Sequence, residues 1–410
     1  MKQLVILAIA VSLLAGCAEN RETEFKYRTD VNDWIAETMQ DVYIWNNELR
    51  ESANRFAEPD VYFENLIYAS DKFSYITTGN EADSLSASYG IAYRTYSMKS
   101  ESSRILAQIT AVADNSPAYK AGLKRGLWVI AANDMKLNNN NVTFLDRGGE
   151  LKLEVADSVY LDDSGNETWT ATEAVTVGAS EIFTEPALHM DTIYDTGNGK
   201  HSYVVLNNLN LTDNDMETLK KAFIASRECN RVILDLRTCD KGDMKQATAI
   251  SSMIAPEQQK NQIFTIINHN GNNKDKDTVY TFSEQLSAYS INKDELFVLT
   301  SATTSGAAEA IINGLKPYMN VYIIGSGTAG KNVILDKINC PVNTMYTIHP
   351  AVAQICDKDN ASLFPNGFAP DSTITERDLM PIYELGDTRE SLLNAAFVFR
   401  PKSDEEQQQD

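Results

Sequence analysis

The stretch Glu295 to Val333, ELFVLTSATTSGAAEAIINGLKPYMNVYIIGSGTAGKNV, decides how the rest of the chain is read. Its first apolar run, Leu296-Phe297-Val298-Leu299, gives way to small and hydroxyl residues. Apolar positions then recur with helical spacing from Ala307 to Leu315, and a second apolar run follows over Val321 to Ile324. The order is strand, loop, helix, strand. In such a unit the loop and the first helical turn present unpaired backbone N–H groups and the positive end of the helix dipole. A nucleophile or an oxyanion therefore belongs at Ser305, Gly306 and Ala307. Lys331 follows the second strand in a glycine-flanked loop from which its amine can return to that helix start.

Two segments here, Thr304-Ser305-Gly306-Ala307-Ala308-Glu309 and Thr328-Ala329-Gly330-Lys331, resemble the motifs of the C-terminal-processing (tail-specific) serine peptidases. In that family an S/T-x-S-A-S-E loop enters a helix, and the lysine of a T-x-G-K segment lies a fixed distance beyond the nucleophile. The resemblance makes Lys331 the general base and places the nucleophile at Gly306, three positions before Glu309 and twenty-five before Lys331. The family's chemistry needs a serine Oγ whose proton passes to a neutral, desolvated lysine, and glycine has no such atom. Glycine is an acceptable helix N-cap, so the fold is expected to survive the exchange. Ser305 is an alternative nucleophile, but one residue of displacement turns a side chain by about 100° around a helix.

A second loop departs from the pattern as well. Relatives carry D-L-R-x-N-x-G-G, with glycine backbone in the oxyanion hole; here Asp235-Leu236-Arg237-Thr238-Cys239-Asp240-Lys241-Gly242 puts Cys239 for the asparagine and Lys241 for the first glycine. The resemblance leaves the backbone of Gly242 and Ala307 as the oxyanion donors, and loss of one donor typically costs about 100- to 1,000-fold in rate. A third reading is thiol chemistry at Cys239, with Lys241 and Lys331 supplying the positive surroundings a thiolate requires.

The start of the chain reads as an export signal. Lys2 precedes an apolar stretch from Leu4 to Leu14, too short to span a bilayer, and Leu14-Ala15-Gly16-Cys17 is a lipobox. Residues 1–17 are thus expected to be a lipoprotein signal peptide, with lipid on Cys17 anchoring the protein in a bacterial cell envelope. The whole chain of 410 residues is 43% hydrophobic and 23% charged, enough for a core in two or three domains. A formal charge of −21 argues against a nucleic-acid partner, since a phosphate backbone is repelled. His189, His201, His269 and His349 are scattered singly and no CxxC, HExxH or G-x-S-x-G pattern occurs, so neither a metal, a cofactor nor a histidine triad is expected. Cys340 and Cys356 are the candidates for a disulfide, which the sequence leaves open.

Organisation follows from the patterns between these landmarks. Residues 18–30 are a polar tether. Trp34, Ile35, Met39, Val42, Tyr43 and Trp45 mark a helix face, and a second helix over Pro59 to Ser70 completes a helical N-terminal subdomain over 31–83. From 84 to 182 short strands surround Ser116-Pro117-Ala118-Tyr119-Lys120-Ala121-Gly122-Leu123, which resembles the PDZ signature. A PDZ module adds a peptide as an extra strand and receives its carboxylate in a backbone loop, here Tyr89-Gly90-Ile91-Ala92; the other reading is a spacer barrel. Residues 183–400 alternate strands and helices, including the buried-type strand Arg231 to Arg237 and a helix over Met244 to Ile254. Asn366-Gly367-Phe368-Ala369-Pro370-Asp371 is similar to the family's G-x-x-P-D element, and 401–410 is a tail of disordered type.

The expected fold is therefore α+β and multidomain: a helical subdomain, a PDZ-like β domain and an α/β core of the tail-specific peptidase (crotonase-like) type. The expected function is capture of polypeptide C-termini or unfolded exported proteins, with proteolysis lost or strongly reduced.

Overall fold

A computed structural model describes residues 26–401, apart from 52, 80–86, 198 and 375–378. The signal segment with Cys17, residues 18–25 of the tether and residues 402–410 of the tail lie outside the described residues. Among the described residues no helix is long and apolar enough to cross a membrane. The chain forms two compact units, one built from 83–264, 280–330 and 364–410, the other from the described residues up to 82 with 265–279 and 331–363.

In the first unit the strands Leu188–Thr196, Gly199–Leu206, Arg231–Asp235, Glu295–Thr300, Asn320–Gly325 and Ser372–Thr373 form one sheet in that spatial order. The first pair is antiparallel and every later pair parallel, with Ile233 opposite Phe297 and Leu299 opposite Ile324. Continuous runs such as Val232-Ile233-Leu234 suit strands covered on both faces. Tyr203, Val205, Ile233, Phe297, Leu299 and Ile324 pack on one face against Leu393, Ala396 and Phe397 of the last helix, Ser391–Val398. Helices Met244–Ile254 and Ala307–Leu315 pack on each other. Helix Asp213–Ser226 starts with a reciprocal cap: Thr212 Oγ1 accepts the Asp215 N–H (3.2 Å) and Asp215 Oδ2 accepts the Thr212 N–H (2.8 Å).

The same unit contains an antiparallel sheet, Ile91–Ser97, Ile105–Val112, Trp128–Ala132, Leu151–Ala156 and Glu173–Val177 in that order, with Met135–Lys136 paired to the third strand. Its core gathers Ile105, Ala107, Ile109, Val129, Leu151, Leu153 and Val155. Among the described residues strand Ile91–Ser97 pairs with Ile105–Val112 and stands at the edge of the sheet.

A buried ionic network joins this small sheet to the larger one. The Arg237 guanidinium, 8% exposed, forks between Asp235 (0%) and Glu390 (1%), with Nη1 to Glu390 Oε1 at 2.6 Å, Nη2 to Glu390 Oε2 at 2.9 Å and Nε to Asp235 Oδ1 at 3.0 Å. Tyr203 donates its hydroxyl to Asp235 Oδ2 (2.6 Å). Arg125, from the small sheet's last connection before Trp128, approaches Glu390 Oε1 at 3.4 Å and donates to the carbonyls of Thr110 and Tyr383. Glu390 also caps the last helix by accepting the Leu393 N–H (2.9 Å).

The other unit corrects the expected boundaries. Its first helix already runs at residue 26 and continues to 42, so the tether does not reach 30. The helical segment is also not a subdomain by itself. Val31, Ile35, Met39 and Tyr43 bury one face together with Phe63 and Leu66 of helix Pro59–Leu66, and they share that core with Val333, Cys340, Ile348 and Ala351. Two helices cannot cover enough apolar surface alone, so strands from far along the chain complete the core. Tyr75–Thr78 pairs with Tyr346–His349, and Ala351–Cys356 pairs with Val333–Leu335 and with Ile266 to His269. Cys229, Cys239, Cys340 and Cys356 are all buried free thiols, which closes the disulfide question for Cys340 and Cys356.

The Arg237 network makes a stability prediction. Burial opposes ionisation of Glu390, but the Arg237 hydrogen bonds and charge outweigh it and hold the carboxyl below its ordinary 4.5. Removing one partner leaves a buried charge uncompensated, so Glu390→Gln should lose about 3–5 kcal/mol of unfolding free energy near pH 7. A depressed folded-state pKa stabilises above the unfolded value and is lost as pH falls through the folded one. Denaturant melts should therefore show the gap between the natural chain and Glu390→Gln closing as pH drops below 4.5.

Candidate active site

The loop that leaves strand Glu295–Thr300 is stitched to the loop that leaves strand Arg231–Asp235. Ser301 Oγ donates to the Arg237 carbonyl (2.6 Å), Thr304 Oγ1 to the Leu236 carbonyl (2.8 Å), and the Ser305 N–H to the Cys239 carbonyl (3.1 Å). These bonds leave the chain no slack before the helix, and it turns sharply at Gly306, with φ +58° and ψ −111°. That is not the extended conformation of an ordinary N-cap, as the sequence suggested, but a region that side chains occupy only under strain of about 1–3 kcal/mol. Glycine at 306 avoids that strain.

Glu309, fully buried, holds the turn in place. Its Oε2 accepts the Gly306 N–H (3.0 Å), while Oε1 accepts the Thr328 hydroxyl (2.5 Å) and the Gly330 N–H (2.7 Å). One carboxylate thus binds both motif segments. Thr328 Oγ1 accepts in turn from the Phe368 N–H (2.8 Å), and Asp371 Oδ2 accepts from the Ile323 N–H (2.7 Å), which seats the 366–371 element beside the same strands. Lys331, half-buried, comes directly after Gly330. Ser305 is 8% exposed and precedes the turn instead of occupying it.

Cys239 is fully buried, and burial, with Asp240 adding to it, pushes its thiol far above the ordinary cysteine range. A nucleophile must ionise, so the thiol reading is corrected: Cys239 is a packing residue whose carbonyl positions Ser305. Gly242 has φ +136° and bridges to Leu209, where an added Cβ would lie 2.3 Å from the Leu209 Cβ. Its glycine is required by that close approach. Lys241 is exposed, and its carbonyl accepts the Leu209 N–H (2.8 Å).

Two cavities open at the carboxyl ends of the parallel strands. One of about 480 Å³ lies between Thr300, Ser301 and Thr303 of the core and Ala92 and Ala111 of the small sheet. The other, about 560 Å³, is lined by Phe183, Glu185, Asn207, Asn208 and Lys241. Burial, then Asp114, raises the Glu185 carboxyl there, and Lys241 partly offsets the rise. Ligands gather at this end of open α/β sheets.

At the proposed peptide loop, the Tyr89 N–H donates to the Asp146 carbonyl (3.2 Å) and the Gly90 N–H to Ser88 Oγ (3.2 Å). Those two groups are engaged and do not await a carboxylate, which leaves Ile91 and Ala92 at the head of the edge strand. Sequence reasoning missed Tyr93, whose hydroxyl donates to Asp146 Oδ1 (2.9 Å); burial and Asp146 push that phenol up to about 12. It also missed Glu390 and the His189–Asp114 pair (2.6 Å), because neither pairing has a local spacing to announce it. Among the described residues no cluster suited to a metal ion occurs.

The comparisons agree with this architecture. Residues 30–75 match the peptidase S41 N-terminal domain and residues 200–374 match peptidase family S41. A crystal structure from Bacteroides fragilis, assigned to the S41 proteases, is 26% identical, with a TM-score of 0.77 over 88% of this chain and 95% of that one. The photosystem II D1 C-terminal processing protease is similar in fold, with 14% identity and a TM-score of 0.51 over 85% of this chain and 93% of that one. A search of curated protein sequences finds no match. With the N-terminal and main domains matched in order, and a structural likeness that spans nearly the whole chain, the protein belongs to peptidase family S41.

Proposed function

We propose that this protein is an exported, lipid-anchored member of the family that binds polypeptide C-termini or unfolded exported proteins and has lost ordinary hydrolysis. The observation that carries this reading is Gly306: the position where a serine Oγ would stand is a glycine in a positive-φ turn, clamped by Glu309. The altered oxyanion loop, with Cys239 buried and Lys241 on the surface, supports the same reading. Binding falls to the PDZ-like sheet, at its edge strand Ile91–Ser97, and the anchor to Cys17.

A fluorophosphonate probe should leave the natural protein unlabelled. Gly306→Ser should label weakly and unfold more easily by about 1–3 kcal/mol, the strain of a side chain in that turn. Labelling of the natural protein at Ser305 that disappears in Lys331→Ala would replace this reading with an active peptidase.

Peptides with a free apolar C-terminus should bind more tightly than their amides, since amidation removes the charge that backbone N–H groups receive. Equal titration curves for acid and amide would remove carboxylate capture from the proposal.

Cys17→Ala should shift the protein from the membrane fraction to the soluble fraction, and an unchanged partition would refute the anchor.

A further inference from the structure

At the amino ends of the same parallel strands, opposite the loops just described, a cavity of about 330 Å³ is lined by His201, Asn230, Arg231, Phe397, Val398 and Arg400. Its polar lining is unusual for a chain of net charge −21. Burial most disfavours the charge on Arg231, Glu295 on the neighbouring strand favours it, and Arg400 is near enough to add a smaller opposition of its own. Like charges held together around a concave surface make a site for a counter-charge.

The geometry leaves donors available. Arg231 stacks over Phe297 (4.7 Å to the ring centre) and gives Nη1 to the Ala396 carbonyl and Nη2 to the Phe399 carbonyl, both at 2.6 Å. Those bonds use two of the five N–H donors of a guanidinium and fix its plane. Asn230 Oδ1 accepts the Lys200 N–H (3.0 Å), which orients the side-chain amide and leaves its NH₂ as a donor.

His201 is the second, independent pointer. It is 1% exposed, its ring lies 5.1 Å from that of Phe397, and its Nδ1 has no partner among the described residues. Nε2 meets Thr196 Oγ1 at 3.0 Å, and that hydroxyl gives its proton to the Gly199 carbonyl at 3.1 Å. Nδ1 is thus left as a buried polar atom with no partner among the described residues. Such a group carries a desolvation penalty unless something satisfies it. Burial, then Arg231, disfavours protonation here, but an anion placed against Nδ1 reverses that balance.

We propose that this pocket binds a tetrahedral oxyanion of the sulfate or phosphate class, held by Arg231, Arg400 and the Asn230 amide, with a proton taken up at His201 Nδ1 on binding. The proton comes from solvent and becomes the hydrogen bond from Nδ1 to the anion. The site lies at the opposite end of the sheet from the candidate active site and does not depend on whether that site retains hydrolysis.

Sulfate is the probe of choice because it does not titrate between pH 5 and 8, so any pH dependence belongs to the protein. Calorimetric titration of the natural chain should show saturable 1:1 binding that tightens by about tenfold from pH 8 to pH 5.5, as expected for one histidine that gains a proton. Arg400→Gln, on an exposed residue outside the helix-anchoring bonds, should weaken sulfate about tenfold and keep the pH ratio. His201→Asn should abolish the pH ratio while binding persists. Inorganic phosphate should compete with sulfate. Absence of saturable binding, or identical affinity in Arg400→Gln, would overturn the proposal. Sulfate binding seen only after deletion of residues 402–410 would overturn it too, by assigning the pocket to the acidic Asp404-Glu405-Glu406 segment of the chain's own tail.

Discussion

The Arg237 guanidinium is the constraint on which the larger unit depends. It lies where the Arg231–Asp235 strand ends, takes Asp235 on one edge and Glu390 on the other, and admits Arg125 of the small sheet at the same carboxylate. Three pieces of chain separated by more than a hundred residues are thereby fixed around one buried charge cluster. Neither arginine nor glutamate tolerates burial alone, and the desolvation penalty is offset by the pairing of the charges and by further hydrogen bonds to the carboxylates. The Leu393 N–H and the Tyr203 hydroxyl are examples. Because Arg237 also gives its carbonyl to Ser301, this electrostatic core reaches the loop that leads to Gly306.

A second carboxylate does for the candidate site what Glu390 does for the scaffold. Glu309 accepts the Gly306 and Gly330 N–H groups and the Thr328 hydroxyl together, so both motif segments are held at fixed spacing. Hydrogen bonds to backbone and hydroxyl groups keep the loops where they are, and none of these bonds needs a side chain at 306. That explains how the fold of the family persists with glycine at the turn, and why glycine suits a turn with positive φ.

The sheet offers its two ends for different purposes. Its carboxyl end is rich in hydroxyls and amides and faces the small sheet, where an extended chain can be added. Its amino end gathers Arg231, Arg400 and a neutral buried His201.

Much of this was legible in the sequence alone. Helices Met244–Ile254 and Ala307–Leu315 fall on the residues that periodicity assigns, and the strands around them follow from unbroken apolar runs, because burial on one or both faces imposes local patterns. The spacing from Gly306 to Glu309 and Lys331 likewise survives as a motif, since a turn, a helix and a strand have fixed lengths. What the sequence could not determine is everything set by partners far along the chain. The N-terminal helices look like a subdomain until Val333, Ile348 and Ala351 are seen to complete their core. Cys239 reads as a reactive thiol near lysines until burial removes its acidity. The conformation of Gly306 is not a property of glycine or of its neighbours but of a loop pulled taut by Leu236, Arg237 and Cys239. Local propensity determines which elements form, whereas burial, charge pairing and backbone strain arise only where distant segments meet, and those decided what the site can do.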